Sequence, residues 1–293
     1  MSGGFAPDWL RLREPHDSAA RSRALGRRFG AAVRARAGTD AAQLVDLGAG
    51  TGANFRALAP LVPGNQEWRL VDRDPALLSL QASEIAQWAR GQGYPAAHGS
   101  DAVTVTGGAA MWRAHGAAAD LARDLANLPL ARAHGVVCAV FLDLVSAAWL
   151  QELIERLTSE RLPFLAALTV DGRREWRPPH PDDAALNEAF RRHQQTDKGF
   201  GPALGPDAPG EAVAGFEAAG YRVSAAPSDW RLGANAETLI DELAAGAAEA
   251  ATAISPGSAE IFARWRDSRL NERAGRALIV GHVDILALPA ENS

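Results

Sequence analysis

The sequence predicts an α/β fold built on a doubly wound, mostly parallel, seven-stranded sheet. Three observations predict it. Short apolar runs alternate with stretches of helical periodicity through the first 170 residues, the pattern of strands joined by crossover helices. The run Gln43-Leu44-Val45-Asp46-Leu47 is followed at once by three glycines, Gly48, Gly50 and Gly52. A second run, Trp68-Arg69-Leu70-Val71, ends in Asp72. The last two together describe a strand, a glycine turn, a helix and an acid-ended strand, the βαβ unit that cradles nucleotides.

Residues 8–36 carry apolar positions at helical spacing among many arginines, and Pro15 divides them into two predicted helices, with Asp17 capping the second. Residues 43–47 read as the first strand, 52–59 as its helix and 67–72 as the second strand. Pro75 suits the first turn of a helix over 75–90. The turn-rich segment 91–108, with its alternating Val103-Thr104-Val105-Thr106, reads as a loop or hairpin. The third strand is expected at 111–115, then a short helix over 120–127 stopped near Pro129. The β-branched run 135–142 reads as a buried fourth strand, 146–160 as an amphipathic helix and 163–170 as the fifth strand. Residues 220–224 and 277–285 read as two late strands, with helices at 236–252 and 258–273 between them.

The glycine pattern alone leaves the nucleotide open, because Gly48, Gly50 and Ala53 also satisfy the dinucleotide fingerprint G-x-G-x-x-A. Three features point away from a dinucleotide. Asp46 stands two residues before the first glycine, where a pyrophosphate would meet a negative charge and an ammonium or sulfonium would be welcomed. Gly52 makes the pattern G-x-G-x-G, and the segment follows an Arg-rich helical stretch instead of opening the chain.

D-L-G-A-G-T-G at 46–52 resembles the first motif of class I S-adenosylmethionine-dependent methyltransferases. V-D-R-D-P-A-L-L at 71–78 looks like their second motif, A-D-L-A at 119–122 like the acidic element after their third strand, and V-V-C-A-V-F-L-D at 136–143 like their fourth strand with its polar exit. The resemblance covers about residues 40–170 and resumes at the C-terminus, where a closing antiparallel pair at the sheet edge is typical of the family. It implies one Rossmann-like methyltransferase domain over 1–293, with a helical lid over 1–40 and a substrate-side insertion over 172–210 after the fifth strand. It implies S-adenosyl-L-methionine as cofactor, its methionine half cradled by Gly48, Gly50 and Gly52, with Asp46 facing the amino group. Asp72 would take the ribose, Asp120 and Leu121 would border the adenine, and Thr51, Asn54, Arg73 and Phe141 complete the cofactor set. The plainer reading of Asp46 and Asp72 is that they cap the turns after their strands, and Asp101 competes with Asp120 for its role. Trp9, Arg13, His16, Asp17 and Arg21 are lid candidates, set against a solvated basic face.

The chain's net charge of −5 gives no reason to expect a nucleic-acid partner. Its single cysteine, Cys138 in an apolar run, excludes an intrachain disulfide and a cysteine-based zinc site and reads as a small buried hydrophobe. No apolar stretch reaches the roughly 18 residues of a membrane span, and Met1–Leu10 has no hydrophobic signal core, so the expectation is a cytoplasmic protein. Oligomeric state is left open.

Methyl transfer from a sulfonium needs alignment and electrostatics, plus a base only where the acceptor carries a proton. The densest polar cluster of the insertion is R-R-H-Q-Q-T-D-K-G-F-G at 191–201. His193 and Asp197, four apart, would share a helical face as a general-base pair if the helix continues; the plainer reading is a helix-end pair. A metal would need a third ligand such as His180 or Asp182, and none is expected. Lys198 and Arg173 are candidates for an anionic group of a small-molecule substrate, and Asp143, leaving the fourth strand, would lie near the transferred methyl or else cap the helix near 146. The tetrad of Asn or Asp, two prolines and Tyr or Phe that marks amino-methylases of planar amides is replaced by F-L-D-L. Two rivals stand beside this reading. An NAD(P)-dependent oxidoreductase would need its own catalytic set such as Tyr-x-x-x-Lys, and neither Tyr94 nor Tyr221 has lysine four residues on. A non-catalytic S-adenosylmethionine-binding protein would keep the pocket without the polar cluster.

Overall fold

The strand that carries Asp46 is buried at every position but Gln43, as a strand covered on both faces must be. In the computed structural model, which describes residues 6–99 and 102–290, this is β1 (Ala42–Leu47). It lies parallel between β2 (Gln66–Asp72) and β6 (Gly135–Ala139). β5 (Ala110–Ala118) continues the parallel sheet beyond β2, and β7 (Phe164–Arg177) continues it beyond β6. β10 (Ala277–Pro289) enters antiparallel between β7 and β8 (Tyr221–Pro227). All seven expected strands are therefore present, in the spatial order third, second, first, fourth, fifth, seventh, sixth. The order reverses between β1 and β6, which opens the ligand crevice of a doubly wound sheet there.

The sheet has ten strands among the described residues, not seven. β3 (Ala96–His98) and β4 (Val103–Gly107) form an antiparallel ribbon on the edge of β5. Val103 and Val105 bury one face of it, and Tyr94 meets Trp112 edge-on, so the segment gains a third apolar neighbour that a lone loop would lack. β9 (Trp230–Leu232) pairs with β10; three residues are too few for a period to be read. β7 also overruns its expected end, because residues 174–177 pair with 277–280, so the first part of the expected 172–210 insertion is strand. Asp101 lies outside the described residues.

Ten helices complete the fold among the described residues. α1 (Pro7–Ala20) runs through Pro15, and the break falls at Arg21, whose backbone is extended at ψ 140°. The cap of α2 (Arg23–Ala37) is Ser22, whose hydroxyl accepts the N–H of Leu25; Asp17 caps nothing and instead pairs with Arg13 inside α1. Such a cap contributes about 1 kcal/mol. α2, α3 (Ala53–Leu58) and α4 (Pro75–Gly91) cover one face of the sheet through Phe29, Phe55, Trp68 and Ile85. α5 is shorter than expected (Leu121–Asp124) and gives way to 3-10 turns at 125–127 and 130–132. α6 (Ala147–Ser159) and α8 (Ala208–Ala218) cover the other face through Leu153, Leu157, Phe164 and Phe216. α7 (Asp183–Gln194), α9 (Glu237–Ile254) and α10 (Ala259–Asn271) pack on the extensions of β7 and β10 around Trp176 and Trp265, and Trp9 and Leu12 of α1 join that cluster.

Candidate functional site

At the carboxyl end of β1 the backbone turns through Gly48, Gly50 and Gly52 with φ of 66°, 53° and 88°, a left-handed run that side chains oppose. A Cβ on Gly48 would also stand 2.8 Å from the Phe141 ring. The turn is held from four sides. The N–H of Gly50 donates to Asp72 Oδ2 at 2.8 Å, and Asp72 Oδ1 accepts from the N–H of Asp74 at 2.9 Å. Gln81 Nε2 of α4 donates to the Gly50 carbonyl at 2.9 Å. Arg56 donates to the Thr51 carbonyl at 2.6 Å and to Glu14 at 2.5 and 2.7 Å, tying α1 to the turn. α1 therefore crosses the turn, with Leu10 beside Gly50. Its buried polar residues are Arg13 and Asp17, so this face is not a solvated basic one.

Asp46 is fully buried. Asn54 Nδ2 donates to Asp46 Oδ1 at 2.7 Å, but Asp46 Oδ2 and Asn54 Oδ1 are buried without any partner. Burial pushes the Asp46 carboxyl up to about 7, against the pull of the Asn54 bond and the Arg21 charge. Two orphaned acceptors at one buried spot cost about 1–3 kcal/mol each. A ligand that brings N–H donors and positive charge meets both needs, and the α-ammonium of an amino acid is such a group. A pyrophosphate meets neither. The residues present thus fit the methionine half of S-adenosyl-L-methionine.

Asp120 is the cap of α5, accepting the N–H of Ala122 at 3.1 Å, and buried Leu121 gives its carbonyl to Trp149 Nε1 at 2.7 Å. Phe141, Trp149 and Phe200 meet edge-to-face with centroids 5.5–5.6 Å apart, forming an aromatic wall beside Leu121. Phe200 arrives on the loop after α7, which passes Arg73 at Gly199 and Ser146 at Gly201. The loop thus bridges the exits of β2 and β6. Sequence reading missed Phe200, Gln81 and Arg56. Phe200 stands in a polar, glycine-rich stretch, and the other two sit on helices where nothing marks their reach.

The expected His193–Asp197 pair does not form. α7 ends at Gln194, so the spacing of four no longer sets the two on one helical face. Asp197 Oδ1 accepts the N–H groups of Gly199 and Gly201 at 2.7 and 3.0 Å and shapes the loop. Burial and then the Lys198 charge hold the His193 pKa below its usual value. Lys198 Nζ donates to the His193 carbonyl and Thr196 Oγ1 at 2.9 and 2.8 Å. Arg173 is not a free clamp, since Asp171 and Asp229 already hold its guanidinium, each at 2.6 Å. Asp143 is buried in a 3-10 turn after β6 with Oδ1 unpartnered, and Ser146, not Asp143, caps α6. Burial raises its carboxyl to about 6, against its own backbone N–H, Arg13 and Lys198.

On the same rim stands a polar group from the C-terminal strands. Arg13 and Asp17 pair at 2.8 Å, Trp230 Nε1 donates to Asp17 at 3.0 Å, and the Trp230 ring lies 5.0 Å from that of His282. His282 is buried, its Nδ1 is unpartnered, and burial lowers its pKa to about 4. A cavity of about 220 Å³ lined by Gln43, Glu67, Arg69 and His115 lies toward the other end of the strands, away from the glycine turn. Among the described residues no cluster of three or more metal-ligating side chains occurs, and no helix is long and apolar enough to cross a membrane.

No protein-family model matches the chain, and no curated protein matches it. Solved structures do resemble it. A proposed type II methyltransferase of Anaeromyxobacter dehalogenans is 16% identical, with 92% of this chain and 98% of that one covered at a TM-score of 0.48. A cyclopropane-fatty-acyl-phospholipid synthase-like protein of Lactobacillus casei is 12% identical, covering 94% and 99% at 0.47. A SAM-dependent methyltransferase of Geobacter sulfurreducens in complex with S-adenosyl-L-homocysteine is 14% identical, covering 97% and 99% at 0.44. At these values the functional reading rests on this chain's own residues.

Proposed function

We propose that the chain is an S-adenosyl-L-methionine-dependent methyltransferase acting on a small molecule. The observation that carries this reading is the pair of orphaned acceptors, Asp46 Oδ2 and Asn54 Oδ1, buried beside a glycine turn. A nicotinamide dinucleotide would bring a pyrophosphate to that turn, next to a buried carboxylate, which disfavours the oxidoreductase reading. When bound, S-adenosyl-L-methionine supplies a methyl group on a sulfonium, already activated for displacement. Asp46 and Asn54 hold the ammonium, Thr51 and the glycine turn border the chain that carries it, and Asp72 with Arg73 stands at the ribose. Leu121, Phe141, Trp149 and Phe200 line the adenine side, with Asp120 at its edge. α1 acts as the lid through Glu14, Leu10 and Arg13.

Asp143 is the group we assign to the acceptor's proton. It stands where β6 exits toward the crevice, is buried, and has a free oxygen. Its raised pKa makes it a competent base near neutral pH. Lys198 lies within electrostatic reach of it and steadies the anion. His193 and Asp197 are reassigned to shaping the loop that carries Phe200.

The test is ultraviolet cross-linking of S-adenosyl-L-[methyl-³H]methionine to the purified protein. Label should map to peptides containing residues 46–54 or 141–149 and be competed by S-adenosylhomocysteine. Competition by NADH instead would contradict the reading.

A further inference from the structure

Arg173 was the expected anion clamp, yet its neighbour has the properties a clamp needs. Arg173 is neutralised by Asp171 and Asp229. Arg174, the next residue of β7, pairs with no carboxylate among the described residues. Its guanidinium lies 4.0 Å from the centroid of Phe190, and its Nη1 is buried without a hydrogen bond. Burial lowers its pKa to about 10, with no acidic neighbour to oppose it. It lines a pocket of about 40 Å³ with Val170, Gly172, the already paired Arg173, Asn187, Phe190 and Gln194. Asn187, Phe190 and Gln194 come from one face of α7, and Val170 pairs across the sheet with His282. The pocket therefore adjoins the substrate side of the rim.

Asn187 specifies the ligand further. Its Nδ2 donates to the Arg174 carbonyl at 3.1 Å, which fixes the amide orientation and leaves Oδ1 buried and unpartnered. The pocket thus presents one unmatched cation and one unmatched acceptor. A phosphate dianion would leave a net negative charge buried, which is costly, whereas a carboxylate balances the guanidinium. The volume suits such an end group and not a whole nucleotide.

We infer that Arg174, stacked on Phe190, anchors the carboxylate of the methyl acceptor, and that an O–H or N–H beside that carboxylate donates to Asn187 Oδ1. The acceptor class is accordingly a hydroxy or amino carboxylic acid. This rests on the methyltransferase reading only for the word acceptor; the anion site stands on its own geometry.

The experiment is thermal unfolding of the full chain in a constant sodium chloride background, alone or with millimolar sodium lactate, sodium acetate or sodium phosphate, a level too low for general salt effects on burial. Lactate should raise the midpoint above chloride, acetate should raise it less, and phosphate should match chloride. Arg174→Gln should abolish the lactate shift, and Asn187→Ala should reduce it to that of acetate. Should Arg174→Gln fail to fold, Arg174→Lys and Asn187→Ala make the same comparison. Equal lactate shifts in wild type and variants, or a phosphate shift exceeding that of lactate, would overturn the inference. S-adenosylhomocysteine titrated into wild type and Arg174→Gln should bind equally. Loss of that binding in wild type with the lactate shift intact would sink the cofactor reading and leave the anion site standing.

Discussion

Asn54 Nδ2 donates to Asp46 Oδ1 at 2.7 Å and leaves the other oxygen of each side chain buried and unpartnered. The bond leaves one buried acceptor on each side chain, so the protein carries a standing need for a cationic donor at the end of β1. Burial holds the Asp46 carboxyl up to about 7 until that donor arrives.

The first prediction concerns pH. An ammonium ligand binds the ionised form, so below about pH 7 binding must first remove a proton. Affinity for S-adenosylhomocysteine should fall about tenfold per pH unit below that point. Calorimetry at pH 6 in buffers of different ionisation enthalpy should report proton release. Asp46→Asn should abolish the release and weaken binding roughly 10- to 100-fold, the worth of a charged hydrogen bond. The same raised pKa makes the free protein lose stability as pH rises from about 4 to about 7, because the folded state holds the proton longer. Asp46→Asn should flatten that slope in denaturant titrations.

Asp72 fastens the glycine turn through the N–H of Gly50 and starts the next helix through the N–H of Asp74. Asp72→Ala should therefore weaken S-adenosylhomocysteine binding by roughly 10- to 150-fold, about 1.5–3 kcal/mol. It should also speed amide exchange at Gly50, which loss of a ribose contact alone would not do.

For Asp143, turnover with a protonated acceptor should decline as pH drops below about 6, since the base is then protonated. Asp143→Asn should lower kcat by about 10²–10⁴ while cofactor affinity is kept. An unchanged pH profile would remove Asp143 from the proton's path.

His193→Ala should leave turnover near wild type, because the imidazole forms no pair with Asp197. Asp197→Ala, by contrast, frees the Gly199–Gly201 turn. Limited proteolysis should then cut at 197–201, and S-adenosylhomocysteine should restore protection by seating against Phe200.

The parallel sheet was legible in the sequence because each buried strand is a short β-branched or apolar run, and the glycine turn with its two acids marked the crevice. The β3–β4 ribbon and β9 were harder to read. β3 and β9 are each three residues long, too short to show alternation, and β9 pairs with Leu278, far along the chain. The same limit applies at the site. Asp46 and Asp72 announce themselves by strand-end position, but the neutralisation of Arg173 by Asp229, which is 56 residues away, is a tertiary fact. So is the isolation of Arg174. The His193–Asp197 spacing misled because it presumed a helix that stops at Gln194, where Lys198 and Thr196 take up the last-turn carbonyl of His193.

The central claim is that the glycine turn holds S-adenosyl-L-methionine, and calorimetric titration of the ligand-free protein tests it most directly. S-adenosyl-L-methionine and S-adenosylhomocysteine should bind with micromolar dissociation constants, about −8 kcal/mol, in wild type and far more weakly in Asp72→Ala, while NADH shows no heat. Binding of NADH alone, or of none of the three by folded protein, would contradict it.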